Sequence, residues 1–453
     1  MSKLKILPSV NFIIERSKDK LNIHEDYLKF LINSELEYFR SKIINKGLEL
    51  GKDEIAGKII KKIEKKGKYS IKNIINGTGI VLHTGFGRAP FRGEDLKKVA
   101  DKLDGYVNLE FDVINNIRGD RQSHIDQHIA SICGSESSLI VNNNAAAVLL
   151  SINTLASNSE VICSRGQIVE IGGSFRISDI IEKSGAILKE VGTTNRTHLK
   201  DYENAISKNT KLLLWVHTSN YVVKGYAKEV SLEEVVTLGK KYDIPVMADW
   251  GSGTFLSLED YGVPSDLPIR NIVDKGPDLV AFSGDKMLGG PQSGVILASK
   301  KILKKIKTNS IYRTVRCDKI TIALLEQVIR TYRIHGFSNF NLALSLLTRS
   351  RDKLRALANK IIRDLPKKNI NQLGLTIEDS LVEAGSGSLP EKNIESIALR
   401  FNPVSLSVNK LSSAFRDLDN PVIGYINKNS FFIDLKAVLP SQISTLIKSI
   451  KNL

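Results

Sequence analysis

A lysine directly follows a predicted buried strand in the segment DLVAFSGDKMLGGPQS, residues 278–293. Burying a free ammonium group costs free energy unless a partner engages it, so the place of Lys286 needs a reason. A lysine that condenses with an aldehyde supplies one, because desolvation lowers the pKa of its amine and the adjacent glycines let a flat cofactor approach the backbone. Taken alone, the segment also fits an ordinary lysine in a surface turn.

An aspartate ends another predicted strand 37 residues earlier, where IPVMAD is followed by WGSG. The carboxyl end of a parallel strand faces the crevice in which open α/β sheets bind ligands, so Asp249 points to the same place as Lys286. Pyridoxal phosphate enzymes need this pair, since a carboxylate at the pyridine nitrogen keeps the ring protonated. The competing interpretation is that Asp249 only caps the next turn.

Polar side chains follow two further predicted strands. The run VNNNAAAVLL places Asn142, Asn143 and Asn144 at a strand-to-helix junction, which suits a phosphate or substrate group, although asparagines also cap helices. In WVHTSN, Asn220 is a candidate donor to the phenolic oxygen of the cofactor, and His217 is either catalytic or a core histidine. Ser283, at the end of the strand before Lys286, completes the predicted cofactor set.

Arginines form a second group, set among glycines and small residues in the predicted crevice loops. Arginine in this setting favours bidentate capture of phosphate-like anions, and the group as a whole predicts at least one oxyanion site. The candidates are Arg88, Arg118, Arg121, Arg165, Arg176, Arg313 and Arg316.

A folded scaffold must position these residues, and the spacing of apolar residues along the chain predicts three domains. Residues 1–70 predict a small basic helical domain, since apolar residues recur at helical spacing. Residues 71–330 alternate apolar β-branched runs with helical patterns, which predicts an α/β domain with a mostly parallel sheet. Residues 331–453 predict a smaller α+β domain.

Composition and charge narrow the class of protein. The chain has 453 residues, with 42% hydrophobic and 25% charged, which excludes a disordered or fibrous protein. Its formal net charge is +16, and residues 1–70 alone hold 16 Lys and Arg against 10 Asp and Glu, so a nucleic-acid partner is a candidate beside a solvated helix face. Without an apolar spanning run, a signal segment or paired-cysteine spacing, we expect a cytosolic protein with reduced cysteines and no metal site.

A family resemblance rests on long motifs that occur in order across nearly the whole chain: INGTGIVLHTGFGRAPF, VNNNAAAVLL, SRGQIVEIGGSFRI, EVGTTNRTHLKDY, ADWGSG, SGDKMLGGPQSG and RCDKITIALLE. They resemble bacterial selenocysteine synthase, the L-seryl-tRNA(Sec) selenium transferase family. The resemblance implies a fold-type-I pyridoxal phosphate enzyme that converts seryl-tRNA(Sec) to selenocysteinyl-tRNA(Sec) through a dehydroalanyl intermediate, with selenophosphate as the selenium donor. It also implies a homodecamer of dimers and an N-terminal domain that binds the tRNA.

The resemblance also implies roles for individual residues. Lys286 matches the lysine that binds the cofactor, and Asp285 matches the catalytic aspartate. Arg88, Arg313 and Arg316 match the pocket for the oxyanion of the selenium donor. The chain departs from the family pattern at several positions, namely Gly85, Phe86, Asp120, Trp250 and Tyr425.

Two other functions stay open at this point. A fold-type-I ammonia-lyase acting on a small amino acid or amino-sugar phosphate would share the pyridoxal phosphate site, but it would not need a basic N-terminal domain. A catalytically silent tRNA-binding protein would keep the fold, but it would gain nothing from the lysine in SGDK.

Overall fold

The computed structural model describes residues 6–17, 23–46, 50–67, 69–168, 170–171, 175–218, 223, 225–264, 266–334, 336, 339, 341–388 and 393–453. The chain divides into two compact units, Met1–Ile74 and Ile75–Leu453. The predicted Asn220 lies outside the described residues.

The first unit is helical, as its apolar spacing predicts: α1 (Val10–Ser17), α2 (Glu25–Lys46) and α3 (Lys52–Lys66). Buried isoleucines four residues apart on α3, at Ile55, Ile59 and Ile63, face a core shared with the other two helices. Five of the six lysines of α3 are exposed.

A carboxylate is buried where α2 meets α3. Glu35 accepts hydrogen bonds from Lys62 at 2.7 Å and from Lys66 at 2.8 Å. Burial by itself raises the pKa of this carboxyl group, but the two lysines outweigh it and hold the pKa below its ordinary value. Two of the many lysines in this unit therefore have a structural task.

Every strand that the structure describes lies in the second unit, together with the remaining described α-helices. The strands are β1 (Ile75–Asn76), β2 (Phe111–Asp112), β3 (Ile117–Arg118), β4 (Ser137–Val141), β5 (Glu160–Ser164), β6 (Glu170–Ile171), β7 (Phe175–Arg176), β8 (Ile187–Val191), β9 (Thr210–Val216), β10 (Val246–Gly251), β11 (Leu279–Ser283), β12 (Gly294–Ala298), β13 (Leu375–Val382), β14 (Ile394–Phe401), β15 (Val422–Ile423), β16 (Tyr425–Asn427) and β17 (Ser430–Asp434). The helices are α4 (Gly93–Leu103), α5 (Asp126–Cys133), α6 (Asn144–Ala156), α7 (Ile177–Lys183), α8 (Leu199–Ala205), α9 (Leu232–Tyr242), α10 (Ile269–Asp274), α11 (Lys300–Thr308), α12 (Ser310–Thr314), α13 (Lys319–Thr331), α14 (Leu342–Leu347), α15 (Arg351–Arg363), α16 (Lys367–Leu373), α17 (Val408–Arg416) and α18 (Ile443–Lys451).

A seven-stranded sheet forms the centre of this unit, in the order β4-β12-β11-β10-β9-β5-β8. The five strands from β11 to β8 are parallel, whereas β12 pairs antiparallel with both of its neighbours. Two apolar cores cover the two faces of the sheet, one containing α5, α9 and α13 and the other α6, α7 and α11. Six of the seven strands are buried along nearly their whole length, which is why their sequences are rich in consecutive apolar residues, whereas the edge strand β8 is partly exposed.

The C-terminal part builds its own antiparallel sheet, β13-β14-β17-β16, over a separate core with α15, α17 and α18. Strand β1 pairs in parallel with β15, and Ile75 lies in that same core. The predicted 331–453 domain therefore gains a strand from the segment that follows the helical unit. The described part of the chain divides at residue 74, and the boundary at residue 330 stays a prediction.

The structure also bears on the cysteines and on membranes. Cys133, Cys163 and Cys317 are free and buried, and burial raises the pKa of Cys163 and of Cys317 to about 12. No helix among the described residues combines the length and the apolar character needed to cross a bilayer.

A substitution at Gly294 tests the close contact between β12 and the start of α6. A Cβ atom at Gly294 would lie 2.1 Å from the carbonyl oxygen of Asn143, so Gly294→Ala forces the backbone apart. We expect this substitution to lower the free energy of unfolding by about 3 kcal/mol, the upper end of the cost of overpacking. Urea unfolding measures it.

The matched control is Gly93→Ala at the start of α4, where a new Cβ would contact nothing within 4 Å. We expect the control to unfold like the unmodified protein. Equal stability of the two variants would contradict the close contact.

Candidate active site

Lys286 lies in the turn after β11 and is 5% exposed. Burial lowers the pKa of its amine; the Asp249 carboxylate opposes this shift, and the nearby guanidinium of Arg88 adds to it. The net shift is downward. A larger fraction of the amine is therefore unprotonated at neutral pH than in an exposed lysine, as a nucleophilic amine requires.

The backbone around Lys286 is held from several sides. The amide of Gly289 donates to the Lys286 carbonyl at 2.9 Å, and Gly290 donates to Gly284 at 2.8 Å, which closes the turn. The carbonyl of Leu288 accepts from the Tyr332 hydroxyl at 2.7 Å and from the Asn341 amide at 3.0 Å. These contacts fix the direction in which Lys286 leaves the turn.

Asp249 lies at the end of β10, next to the parallel strand that leads to Lys286. Its side chain is buried, and burial raises its pKa, although Lys286 and a hydrogen bond from Asn144 at 2.8 Å oppose the shift. The neighbouring Asn143 caps α6 by accepting from the amide of Ala146 at 2.8 Å. The asparagine run therefore has two tasks, a helix cap and a partner for Asp249.

Arg88 and Asp285 form an ion pair at 2.6 Å, between loops 197 residues apart in the sequence. Arg88 adopts a left-handed conformation with φ of 62°, which costs a residue other than glycine about 1 kcal/mol. The amide of Ala89 also donates to the Asp285 carbonyl at 3.3 Å. The two residues implied by the resemblance thus lie together, one residue away from Lys286.

The other arginines have different surroundings. Arg316 lies 3.3 Å from Glu110, which also pairs with Arg118 and Arg121. Arg313 is exposed on α12, and the described residues provide it with no ion pair. Of the two arginines in YRTVR, Arg313 is the one whose guanidinium faces solvent.

Two further candidate arginines form ion pairs with glutamates. Arg165 lies 2.8 Å from Glu190, and Arg176 lies 2.7 Å from Glu170. Both pairs are about half exposed to solvent, where such pairs contribute little to stability.

His217 follows β9, and its amide donates to the Asp249 carbonyl at 2.9 Å. Its ring stacks on Trp250, with centroids 3.9 Å apart and planes 23° apart. Trp250 in turn stacks on Trp215 at 6.0 Å. His217 is therefore neither a wholly enclosed core residue nor an isolated catalytic base, but part of an aromatic wall beside Asp249.

The residues at this edge fit pyridoxal phosphate. The oxygen Oδ1 of Asn144 and the hydroxyl of Ser252 are buried without a hydrogen-bond partner among the described residues, and both lie beside the Asp249–Lys286 pair. Polar atoms buried in this way are rare unless a ligand or water engages them. The first turn of α6 adds free backbone amides for a phosphate, as at other helix N-termini.

No sequence motif marked some of the charged residues that surround the candidate residues. Glu110 gathers three arginines but lies in the unremarkable segment VNLEFD, up to 206 residues away from its partners. Asp266 raises the pKa of Lys286, yet no motif marks it. The capping asparagine and the Arg88–Asp285 pair, in contrast, lie where the motifs predicted site residues.

Proteins of one known family are similar to this chain over nearly its full length. Residues 74–439 match the family model described as L-seryl-tRNA selenium transferase. The L-seryl-tRNA(Sec) selenium transferase of Caldanaerobacter subterraneus subsp. tengcongensis is 40% identical over 455 residues, covering 99% of this chain and 97% of the relative. The protein of the same name from Clostridium botulinum strain Hall is 37% identical over 459 residues, covering 99% and 98%.

Among solved structures, a D-glucosaminate-6-phosphate ammonia-lyase superposes with a TM-score of 0.59 and covers 84% of this chain and 95% of its own. At 17% identity this likeness shows the fold alone, that of fold-type-I pyridoxal phosphate enzymes, as the sequence predicted. The sequence relatives go further, because they share nearly the full length of the chain. The chain therefore belongs to the L-seryl-tRNA selenium transferase family.

Proposed function

We propose that this protein is a pyridoxal phosphate enzyme that converts L-seryl-tRNA(Sec) to L-selenocysteinyl-tRNA(Sec). The observation that carries the proposal is a buried amine, that of Lys286, which follows β11, near the buried carboxylate of Asp249 on the neighbouring parallel strand β10. This pair lies in a chain whose full-length relatives bear the name of that activity.

The bound cofactor supplies an electron sink for the charge left when the seryl Cα loses its proton. Lys286 is the group that takes and returns this proton, since its buried amine is already biased toward the unprotonated form. Asp249 would hold the ring nitrogen of the bound cofactor and keep it protonated. Asn144 keeps the Asp249 carboxylate oriented by donating to it at 2.8 Å.

Asp285 is positioned to assist loss of the seryl hydroxyl. Its carboxylate is fixed by Arg88 at 2.6 Å and is only 7% exposed, so water competes little for it. The proton that Lys286 takes from Cα leaves with the hydroxyl as water, and the Asp285 carboxylate is proposed to orient that hydroxyl by accepting a hydrogen bond from it. Arg88 then keeps the carboxylate in place between turnovers.

The selenium donor is proposed to be selenophosphate, held by arginines. Arg313 is exposed and without an ion pair among the described residues, so it is available to a doubly charged anion. Arg88 offers its remaining guanidinium N–H groups, because the ion pair to Asp285 uses Nη1. If Arg316 also binds the selenophosphate, its guanidinium must first give up the ion pair with Glu110.

The helical unit is proposed to bind the tRNA. Its surface combines lysines with exposed aromatic rings: Lys42 lies 4.8 Å from the ring centroid of Tyr38, which is 43% exposed. Tyr27 and Phe30 stack at 6.3 Å and are 55% and 65% exposed. Lysines that neutralise phosphates and aromatic faces that stack on bases are the two elements of sequence-tolerant RNA binding.

The two other functions have less support. The likeness to the ammonia-lyase shows the fold alone. A silent binding protein would not keep a buried, costly Lys286–Asp249 pair. A homodecamer and a cytoplasmic location are included in the proposal by family resemblance, and three free cysteines agree with a reducing compartment.

Replacing Lys286 tests the cofactor assignment. We expect Lys286→Ala to lose covalent fixation of pyridoxal phosphate by borohydride and to reduce formation of selenocysteinyl-tRNA at least about 100-fold, because the amine is both the attachment point and the proton carrier. Mass spectrometry of the reduced protein measures the first effect. Lys275→Ala is the control, and cofactor fixed equally in the Lys286 variant would refute the assignment.

Neutralising two exposed lysines of α3 tests the tRNA surface. We expect Lys61→Gln with Lys65→Gln to weaken binding of tRNA(Sec), and to make the slope of log K against log salt shallower by about 0.7–0.9 for each lost phosphate contact. Filter binding at several salt concentrations measures both effects.

The matched control places two substitutions of the same type on α18, Lys448→Gln with Lys451→Gln, which are equally exposed. We expect no change in the slope there. An equal loss in both double variants would mean that net charge alone, and not this surface, binds the tRNA.

Replacing Arg313 separates the two half-reactions. We expect Arg313→Ala to reduce selenium addition at least about tenfold and to leave dehydration of the seryl group, scored by trapping with a thiol, within about twofold, because only the anion loses a partner. Arg363→Ala on α15 is the control. Equal loss of both steps in Arg313→Ala would count against the anion role.

A further inference from the structure

A cavity of about 470 Å³ lies against His217 and Trp250, where β9 and β10 end. Its other walls come from residues 257–271, including Glu259, Asp266 and Asn271. Trp250 directly follows Asp249 in the chain, and the Asp266 carboxylate is near enough to Lys286 to raise its pKa. The cavity therefore adjoins the reacting centre, and its volume lies in the range of small-molecule sites, about 300–1,000 Å³.

One wall of the cavity is aromatic. The His217 ring covers Trp250 at 3.9 Å, and Trp215 lies behind it. Trp250 is 5% exposed and its indole Nε1 is buried away from solvent, so the wall offers aromatic ring surface and no donor to the cavity. Such a surface suits a flat ring that packs against it.

The electrostatics of the cavity select against phosphate. Two carboxylates, those of Glu259 and Asp266, line it, and among the described lining residues there is no lysine or arginine. A phosphate would be repelled, whereas hydroxyl, amino and ammonium groups would find acceptors. The ligand that fits is therefore a nucleoside or an amine, and any phosphate attached to it must lie outside the cavity.

The 3′ end of an aminoacyl-tRNA has this chemistry. Its last nucleoside carries a purine with acceptor nitrogens, a free ribose hydroxyl, and an ester-linked amino acid with an α-ammonium group. Its own 5′ phosphate points back along the chain, away from the amino acid. A carboxylate is the usual partner of a ribose hydroxyl in nucleotide sites.

We propose that this cavity binds the terminal adenosine of the seryl-tRNA, with the purine against the His217–Trp250 wall and the ribose hydroxyl at Glu259 or Asp266. The inference rests on the proposed function and adds to it the subsite that delivers the seryl group to Lys286. The N-terminal helical unit would then supply affinity for the body of the tRNA, and this cavity would read the terminal base.

The test uses the full-length holoenzyme and two substrates, seryl-tRNA(Sec) with its terminal adenosine and the same tRNA ending in cytidine. We expect the unmodified protein to prefer adenosine at least about tenfold in kcat/KM. We expect Trp250→Phe, which keeps a ring but reduces the aromatic surface, and Asn271→Ala each to reduce this preference at least about threefold, mainly through KM for the adenosine substrate.

Asp260→Asn is the matched control for Glu259→Gln, since both residues are exposed neighbours and only Glu259 lines the cavity. We expect the control to keep the preference and Glu259→Gln to reduce it. Cofactor retention, read from visible absorbance, should stay unchanged in all four variants, which also shows that they are folded.

Three results would overturn the inference. Equal kcat/KM of the unmodified protein for the two substrates would contradict the adenosine subsite and leave the proposed function intact. Loss of cofactor from Trp250→Phe or Asn271→Ala, with the preference unchanged, would assign the cavity to the cofactor. No turnover of either substrate would overturn the proposed function, and the subsite with it.

Discussion

A buried amine facing a buried carboxylate is the constraint on which the rest of the structure depends. Burial disfavours the charged form of each group, lowering the pKa of Lys286 and raising that of Asp249, and each group partly offsets the cost to the other. The pair exists only because β10 and β11 are parallel neighbours, so that their carboxyl ends meet at one edge of the sheet. Around it, the closed turn after Lys286 and the hydrogen bond from Asn144 keep both groups aimed at one volume.

A second constraint is the placement of positive charge in a chain of net charge +16. Near the site, most of the candidate arginines already have a carboxylate partner, and Glu110 alone serves three of them. This leaves Arg313 exposed, with Arg88 shared between Asp285 and any incoming anion. The cavity at Trp250 has the opposite character, with carboxylates and no described cation. The cavity and the loops that carry these arginines thus differ in charge.

Much of the fold followed from pattern. The helical texture before residue 70, the apolar strand runs and the α+β texture after residue 330 agree with the elements of the structure, because apolar periodicity is a local property that burial imposes on each element. The domain boundaries stay predictions, and the antiparallel order of the C-terminal sheet was not predicted. The fold class and the family are likewise confirmed. The roles of Lys286, Asp285 and the arginines stay predictions, now with geometry attached. The predicted role of Asn220 lies outside the described residues, and the parallel pairing of β1 with β15 had no local signal.

The sequence by itself determined which segments become strands, which residues stand at their carboxyl ends, and therefore that a lysine, an aspartate and an asparagine would meet at one edge. Only the tertiary structure decided which charges neutralise one another: that Glu110 takes Arg316, that Asp285 takes Arg88, and that Trp250 walls a cavity. The physical reason is that strand formation depends on neighbours a few residues away, whereas an ion pair depends on distance in space and on burial, which a linear pattern does not contain.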